Sequence, residues 1–240
     1  MEQGQGQGPA GHRARRARIA VAVVGVLLMV ALAAAVWTAN RPPEPPPRAG
    51  QPASDTLTFA AVGDSLTKAD TTNFPSGEPG PQTWVGHAAT DGVEFAGGWA
   101  EWGAPTSLMA ANARPVDADV LVVLAGTNDL AAGVPFEETA ANISSIVAAS
   151  APERVIVSAI PPIDTGSALF RPGAARSPDD YNRRLEAYVA QQGWDWTDAA
   201  AGLRDGSHFL PGMSYDGVHF TEAGAKAMGE AFRAAILDQR

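Results

Sequence analysis

Short apolar runs alternate with helically spaced segments through residues 56–240. The run at residues 120–125 (Val-Leu-Val-Val-Leu-Ala) is apolar on both faces, which is typical of a strand inside a parallel sheet. Parallel neighbours need helical crossovers, so the alternation predicts an α/β fold, a three-layer α/β/α sandwich on a parallel sheet of about five strands. The other predicted strands are residues 57–62, 93–96, 155–160 and 194–197.

The segments between these strands carry helix signals. Ser177 suits the N-cap of a helix with Pro178 at its first position, and Thr221 suits the cap of the closing helix. Two long stretches, residues 67–81 and 163–176, are irregular and are predicted as loops that set substrate choice. The predicted helices are residues 82–90, 105–113, 135–149, 177–192 and 221–237.

The first 55 residues differ in composition from the rest. Residues 1–18 are polar and carry four arginines, whereas residues 19–37 contain no charged side chain. As a helix, residues 19–37 would span about 28 Å, close to the hydrocarbon thickness of a bilayer. We therefore predict a transmembrane signal-anchor there, after a basic cytoplasmic tail. The Pro-rich residues 38–55 are a predicted spacer before the catalytic domain at residues 56–240.

The arginines predict the orientation of this anchor. Four precede the span, against only Arg41 and Arg48 after it, so the domain is expected outside the cytoplasm, at the cell surface. The alternative is a signal peptide cleaved within the Ala-rich residues 31–35, although such peptides usually have an apolar core of about 7–15 residues. Cleavage there would give a secreted protein.

Charge and composition exclude several functions. Residues 1–54 hold six basic and two acidic side chains (+4), and residues 55–240 hold eleven basic and twenty-four acidic ones (−13), which gives the net −9. An acidic domain without a basic run argues against nucleic acid as a partner. The chain has no cysteine, and its four histidines are scattered. Disulfides and a cysteine nucleophile are excluded, and no metal site is predicted.

A turn follows the first apolar run. Residues 62–66 are Val-Gly-Asp-Ser-Leu, so Ser65 comes at the carboxyl end of a buried strand. Open α/β sheets bind ligands at this edge, where backbone N–H groups can face a developing negative charge. Ser65 is therefore a candidate nucleophile, although Asp64 and Ser65 equally suit a helix cap.

Three further groups are placed by the fold near this edge. Residues 126–129 (Gly-Thr-Asn-Asp) follow the third predicted strand, so Asn128 lies at the same edge as Ser65. Gly103 follows the second strand, and residues 216–219 (Asp-Gly-Val-His) precede the last helix. Singly, each is explained by a cap, a tight bend or a local ion pair. Together they supply the nucleophile, carboxylate and imidazole of a serine hydrolase.

These groups resemble the four sequence blocks of the SGNH (GDSL) hydrolases, in the same order. The blocks are residues 63–66 (Gly-Asp-Ser-Leu), a glycine after the second strand, residues 126–129 and residues 216–219. The resemblance covers about residues 56–240 and implies a flavodoxin-like SGNH fold and a serine ester hydrolase that needs neither cofactor nor metal. Asp64 is interpreted as holding the turn.

The resemblance also implies residue roles. Ser65 would be the nucleophile, His219 the general base and Asp216 the carboxylate that orients His219. The oxyanion hole would consist of the backbone N–H groups of Ser65 and Gly103 and the side-chain amide of Asn128.

The oxyanion glycine has three candidates, Gly97, Gly98 and Gly103. Gly103 is preferred because it begins the sequence Gly-Ala-Pro-Thr, which leads into a predicted helix. The neighbouring Trp99 and Trp102 are expected to line an acyl or sugar pocket, with burial in the core as the alternative.

The expected function is a membrane-anchored, outward-facing esterase that hydrolyses acyl esters, acetyl esters among them, of small molecules or surface glycans through an acyl-enzyme. One alternative is an acyltransferase with the same triad, in which an alcohol replaces water. Another is a non-catalytic glycan-binding module, which the presence of Ser65, Asn128, Asp216 and His219 disfavours. The acyl chain, the alcohol and the oligomeric state are not specified by the sequence.

Overall fold

A five-stranded, wholly parallel sheet lies at the centre of the computed structural model, which describes residues 56–76, 78–164 and 177–238. The strands are β1 Leu57–Gly63, β2 Val93–Ala100, β3 Val120–Leu124, β4 Arg154–Ser158 and β5 Asp195–Thr197. Their order in the sheet is β2-β1-β3-β4-β5, so β1 lies between β2 and β3. The predicted three-layer α/β fold is therefore confirmed.

Apolar side chains allow the inner strands to be buried on both faces. All five residues of β3 are buried, as expected for a strand covered on both faces. Aromatic rings join the sheet to one helical layer, since Phe59 on β1 lies 5.9 Å from Trp84, which lies 4.2 Å from Phe232 (ring centroids).

Helices cover both faces of the sheet. The helices are α1 Ser65–Lys68, α2 Trp84–Ala88, α3 Thr106–Asn112, α4 Thr127–Ala132, α5 Phe136–Ser150, α6 Pro178–Gln192 and α7 Glu222–Leu237. One layer contains α2 and α7, and the other contains α3, α5 and α6. Ser177 caps α6 with Pro178 in its first turn, and Thr221 caps α7, as predicted.

The prediction that the second strand ends before Gly97 and Gly98 is wrong. β2 continues through both glycines to Ala100, and after a register shift at Ala96 the two glycines pair with Ala60 and Ala61 of β1. Gly98 has φ +143°, and a Cβ there would lie 2.0 Å from the carbonyl oxygen of Ala61. Glycine here permits close approach of β1 rather than ending the strand.

Six short elements of the described chain are not among the predicted helices and strands. Helices α1 and α4 follow β1 and β3 directly, in stretches predicted as turns with a helix cap as the alternative. The predicted loop at residues 67–81 contains a 3₁₀ turn, Phe74–Ser76. A second one, Ala201–Leu203, leads into the antiparallel pair β6 Arg204–Asp205 and β7 His208–Phe209.

Arg154 ties the carboxyl end of α7 to the beginning of β4. Its guanidinium donates hydrogen bonds to the carbonyl oxygens of Ile236 (2.8 Å), Ala235 (3.0 Å) and Asp238 (2.8 Å). It also pairs with the carboxylate of Asp195 at 2.6 Å. Because Arg154 is the first residue of a parallel strand, α7 ends at the amino edge of the sheet.

The predicted tail, anchor and spacer at residues 1–18, 19–37 and 38–55 lie outside the described residues, as does most of the predicted loop at residues 163–176. The described helices are all too short or too polar to cross a lipid bilayer.

Candidate active site

The first part of the site is the serine turn, residues 63–68, at the carboxyl end of β1. Asp64 is the N-cap of α1 and accepts a hydrogen bond from the backbone N–H of Leu66 at 3.0 Å, and Ser65 is the first helical residue. Asp64, Leu66 and Thr67 are all buried, so the turn is fixed by packing. The cap interpretation and the nucleophile interpretation of this turn are therefore compatible, because Asp64 caps while the hydroxyl of Ser65 reaches the pocket.

The second part is the histidine loop, residues 212–221, between β7 and α7. The hydroxyl of Ser214 accepts from the backbone N–H of Gly217 at 2.9 Å and donates to the carbonyl oxygen of His219 at 2.8 Å. Thr221 closes the loop, since its hydroxyl donates to the carbonyl oxygen of Gly212 at 2.6 Å. These bonds hold the backbone of His219 in a loop where most residues are at least partly exposed.

The two parts meet through a continuous hydrogen-bonded series. The Nε2 of His219 lies 2.9 Å from the Oγ of Ser65, which is 154 residues away in sequence. The Nδ1 of the same ring lies 2.7 Å from Oδ2 of Asp216. The structure thus brings together the three residues that the sequence proposed for catalysis.

Asp216 is held as a carboxylate. Its Oδ1 accepts the backbone N–H groups of Val218 at 2.9 Å and His219 at 2.7 Å. Partial burial acts to raise its pKa, but the bonds from the His219 ring and from these two N–H groups outweigh burial and lower the pKa below 3.8. An ionised Asp216 favours the tautomer in which Nδ1 carries the proton and Nε2 faces the hydroxyl.

The proposed oxyanion residues lie at the same place. Ser65, Gly103 and Asn128 line one cavity with His219. The side-chain nitrogen of Asn128 donates to the carbonyl oxygen of Ala104 at 3.1 Å and lies 3.3 Å from Oδ2 of Asp64. Both amide hydrogens therefore already face acceptors, so donation to a substrate requires exchange of one bond.

The structure separates the three glycine candidates. Gly97 and Gly98 are within β2, whereas Gly103 lies in the following turn and lines the cavity. Gly103 has φ +66°, a left-handed conformation that glycine adopts without strain. Gly103 therefore remains the candidate.

The cavity has a volume of 430 Å³ and a mostly apolar wall that includes Leu66, Ala69 and Phe220.

Trp99 and Trp102, both expected to line the pocket, differ in their positions. Trp102 lines the cavity and is 64% exposed, as the pocket interpretation expected. Trp99, in contrast, packs against the core from β2, so the expectation that it lines the pocket is wrong.

Asp64 is a fully buried carboxyl group beneath Ser65. Burial raises its pKa from 3.8 to about 6, and the hydrogen bond from the backbone of Leu66 and the charge of His219 only partly oppose this. Asp64 therefore changes charge in a pH range in which surface carboxylates remain ionised.

Sequence reasoning missed two supporting groups. The buried carboxylate of Asp129 accepts from the backbone N–H of Thr106 at 2.8 Å and from the hydroxyls of Thr106 and Thr139, which ties the start of α3 to α4 and α5. Ser214 is the second. Asp129 directly follows Asn128 and could have been suspected, whereas no sequence signal marks Ser214.

Comparison with known proteins adds the family. The sequence model of the GDSL-like lipase/acylhydrolase family matches residues 61–227, which include every candidate residue above. The chain belongs to this family. It is therefore a serine ester hydrolase. Among the described residues, no group of three or more His, Asp or Glu side chains is arranged to hold a metal ion.

Solved structures share the fold of this GDSL hydrolase at low identity. A GDSL-like lipase from Bacteroides thetaiotaomicron is 22% identical with a TM-score of 0.59, over 78% of this chain and 91% of that one. An aryl esterase from M. smegmatis is 21% identical with a TM-score of 0.58, over 75% and 98%. A carbohydrate acetylesterase family member from Sinorhizobium meliloti is 13% identical with a TM-score of 0.55, over 75% and 97%. No curated protein sequence matches the chain.

Proposed function

We propose that this hydrolase cleaves short acyl esters, acetyl esters among them, of small molecules or surface glycans through an acyl-enzyme on Ser65. One observation carries the proposal, the series from Ser65 through His219 to Asp216 at the wall of a 430 Å³ cavity. Two structural neighbours, an aryl esterase and a carbohydrate acetylesterase family member, accord with small ester substrates.

In the acylation step, Nε2 of His219 takes the proton of the Ser65 hydroxyl while Oγ attacks the ester carbonyl carbon. Collapse of the tetrahedral intermediate breaks the bond to the alcohol oxygen, and His219 gives its proton to the departing alcohol. Water then repeats the sequence on the acyl-serine and releases the carboxylic acid. Asp216 stabilises the imidazolium that forms in each half-reaction.

The developing oxyanion needs donors that are aimed at it. The backbone N–H groups of Ser65 and Gly103 would supply two, and the amide of Asn128 would supply the third by exchanging the carbonyl oxygen of Ala104 for the oxyanion. Loss of one such donor typically costs about 10²–10³ in kcat.

The domain is proposed to act outside the cytoplasm, held at the membrane by residues 19–37. The uncharged stretch and the arginines before it support this location. Mass spectrometry of the protein from native membranes tests it. An intact N-terminus supports the anchor, whereas a chain that begins near residues 31–35 indicates cleavage and secretion.

Activity is tested with the full-length chain in a mild non-ionic detergent. We expect hydrolysis of p-nitrophenyl acetate and labelling of Ser65 by a fluorophosphonate probe. Ser65→Ala should lower kcat/KM by about 10³-fold or more with the melting temperature kept. Equal rates for the two proteins, or a folded wild type that the probe leaves unlabelled, would refute the proposal.

A further inference from the structure

Two large aromatic side chains at the cavity are exposed. Trp102 is 64% exposed and Tyr215 is 63% exposed, and both line the cavity that contains Ser65. Large apolar rings are usually buried on folding, so exposed rings beside a reactive group suggest contact with a ligand.

Both rings are held in place. The indole Nε1 of Trp102 donates to the carbonyl oxygen of Ala69 at 2.7 Å, and its backbone N–H donates to Oε1 of Glu101 at 2.9 Å. Tyr215 stacks on the imidazole of His219, with ring centroids 5.8 Å apart and planes 16° apart. A ligand therefore meets aromatic surfaces that are already ordered, which lowers the entropic cost of binding.

The cavity wall also carries an uncompensated negative charge. Asp70, the residue after Ala69, lines the cavity, and its Oδ1 accepts the backbone N–H of Gln82 at 3.0 Å. Within the described part of the chain, no basic side chain forms an ion pair with Asp70.

Lys68, a basic residue of the serine turn, is already paired with a carboxylate. The ammonium group of Lys68 lies 2.6 Å and 2.8 Å from the two carboxylate oxygens of Glu101. It also lies 5.4 Å from the centroid of the Trp102 ring, so this ring already attracts one cation. The lining of the cavity includes no lysine or arginine among the described residues.

Aromatic faces beside a carboxylate form the combination that recognises quaternary ammonium groups. Aromatic rings also stack on neutral sugars, but the unpaired carboxylate of Asp70 favours a cation and repels an anion. The charge of −13 over residues 55–240 acts in the same direction at longer range.

We propose that this esterase prefers esters of cationic alcohols, with the quaternary ammonium or amine group of the alcohol held at Trp102, Tyr215 and Asp70 while the short acyl group faces Ser65. The inference rests on the proposed function and adds the alcohol that it leaves open. A volume of 430 Å³, shared by the acyl group and the alcohol, limits both to small groups.

The test compares two esters of nearly equal shape. Acetylcholine and 3,3-dimethylbutyl acetate differ mainly by a quaternary nitrogen in place of a carbon, and 2-acetoxyethanesulfonate supplies an anionic ester. Acetate release is followed with the full-length chain in non-ionic detergent. We expect kcat/KM for acetylcholine to exceed that for 3,3-dimethylbutyl acetate about five- to thirtyfold, and the sulfonate to be the poorest substrate.

Variants locate the preference. Asp70→Asn and Trp102→Leu should each lower the ratio of the two kcat/KM values by about threefold or more, and Trp102→Phe, which keeps a ring, should restore part of it. Asp91→Asn is the matched control, because this residue is 87% exposed and lies before β2, at the opposite edge of the sheet. For Asp91→Asn, the ratio of the two kcat/KM values should match that of the wild type.

The outcomes separate the two proposals. If neither acetylcholine nor 3,3-dimethylbutyl acetate is hydrolysed and the fluorophosphonate probe leaves Ser65 free, the proposed function fails. If 3,3-dimethylbutyl acetate is hydrolysed as well as acetylcholine or better, the esterase stands and the cation preference is overturned. The assignment of the preference to this wall is also overturned if Asp70→Asn and Trp102→Leu both keep it. The same holds if the control Asp91→Asn loses the preference as much as those two variants do.

Discussion

The serine turn and the histidine loop deliver two halves of one site by different means. In the serine turn, Asp64, Leu66 and Thr67 are at most 2% exposed and are held within the core. In the histidine loop, Tyr215 is 63% exposed, and the chain is held by its own hydrogen bonds, chiefly through Ser214 and Asp216.

This difference determines what a substitution does. A change in the serine turn alters a buried environment and therefore the free energy of unfolding. A change at the polar residues Ser214 or Asp216 of the histidine loop alters the position or tautomer of His219 while the core stays intact. We therefore expect substitutions in the serine turn to act mainly on stability and polar substitutions in the histidine loop to act mainly on activity.

The largest expected effect is on activity in the histidine loop. Asp216→Asn presents an amide N–H₂ to Nδ1 of His219, which favours the tautomer whose protonated Nε2 faces Ser65. We expect kcat/KM for p-nitrophenyl acetate to fall by about 10³–10⁴, with the melting temperature within about 2 °C of the wild type. A fall of tenfold or less would show that Asp216 does not orient the base.

The second effect is on stability in the serine turn. The folded-state pKa of Asp64, about 6, lies above the ordinary 3.8, so the folded chain binds this proton more tightly than the unfolded chain. The contribution of Asp64 is therefore most favourable below pH 3.8 and is lost as the pH rises through 6. Asn at this position cannot titrate.

We therefore expect the free energy of unfolding of the wild type, relative to Asp64→Asn, to fall by about 2 kcal/mol between pH 4 and pH 8. Urea denaturation of both proteins across this range measures the difference. The exposed Asp91→Asn should give a curve parallel to the wild type. If the free energy of unfolding of Asp64→Asn also ran parallel to that of the wild type across this pH range, Asp64 would not titrate there.

The smallest expected effect tests how far hydrogen bonds within the histidine loop position His219. Ser214→Ala removes the donor to the carbonyl oxygen of His219 and the acceptor of the N–H of Gly217. We expect kcat to fall about tenfold with KM within about twofold, because the base is displaced while the cavity is kept.

The variant Ser214→Thr, which retains the hydroxyl, should recover most of this loss. Ser145→Ala is the matched control, since Ser145 is an exposed serine on α5 whose hydroxyl also bonds a backbone carbonyl oxygen. Equal kcat for Ser214→Ala and the wild type would show that the backbone bonds of the loop suffice.

Much of the fold could be predicted because local signals and tertiary environment agree. The apolar run at residues 120–125 is a buried strand, and Ser177 and Thr221 cap the helices that they were expected to cap. The end of β2 was predicted wrongly, because Gly98 suggests a break in sequence, whereas its reason lies in the adjacent Ala61 on β1.

The residues of the site divide in the same way, into those that a local sequence pattern marks and those that only the folded structure reveals. The sequence blocks identified Ser65, Asp216 and His219, which the structure brings within hydrogen-bonding distance. Ser214 could not be identified, because a serine in a loop has no distinguishing pattern and its two bonds exist only in the folded loop. The exposure of Trp102 and the partial burial of Trp99 against the core likewise depend on where β2 ends.

The anchoring of α7 by Arg154 has a practical consequence for engineering. This helix starts beside the reactive imidazole and, at sixteen residues, runs about 24 Å to the opposite rim of the sheet. A peptide tag or fusion partner joined to the carboxyl terminus therefore emerges away from the cavity mouth. Attachment to a solid support through that terminus should leave the mouth open to the substrate.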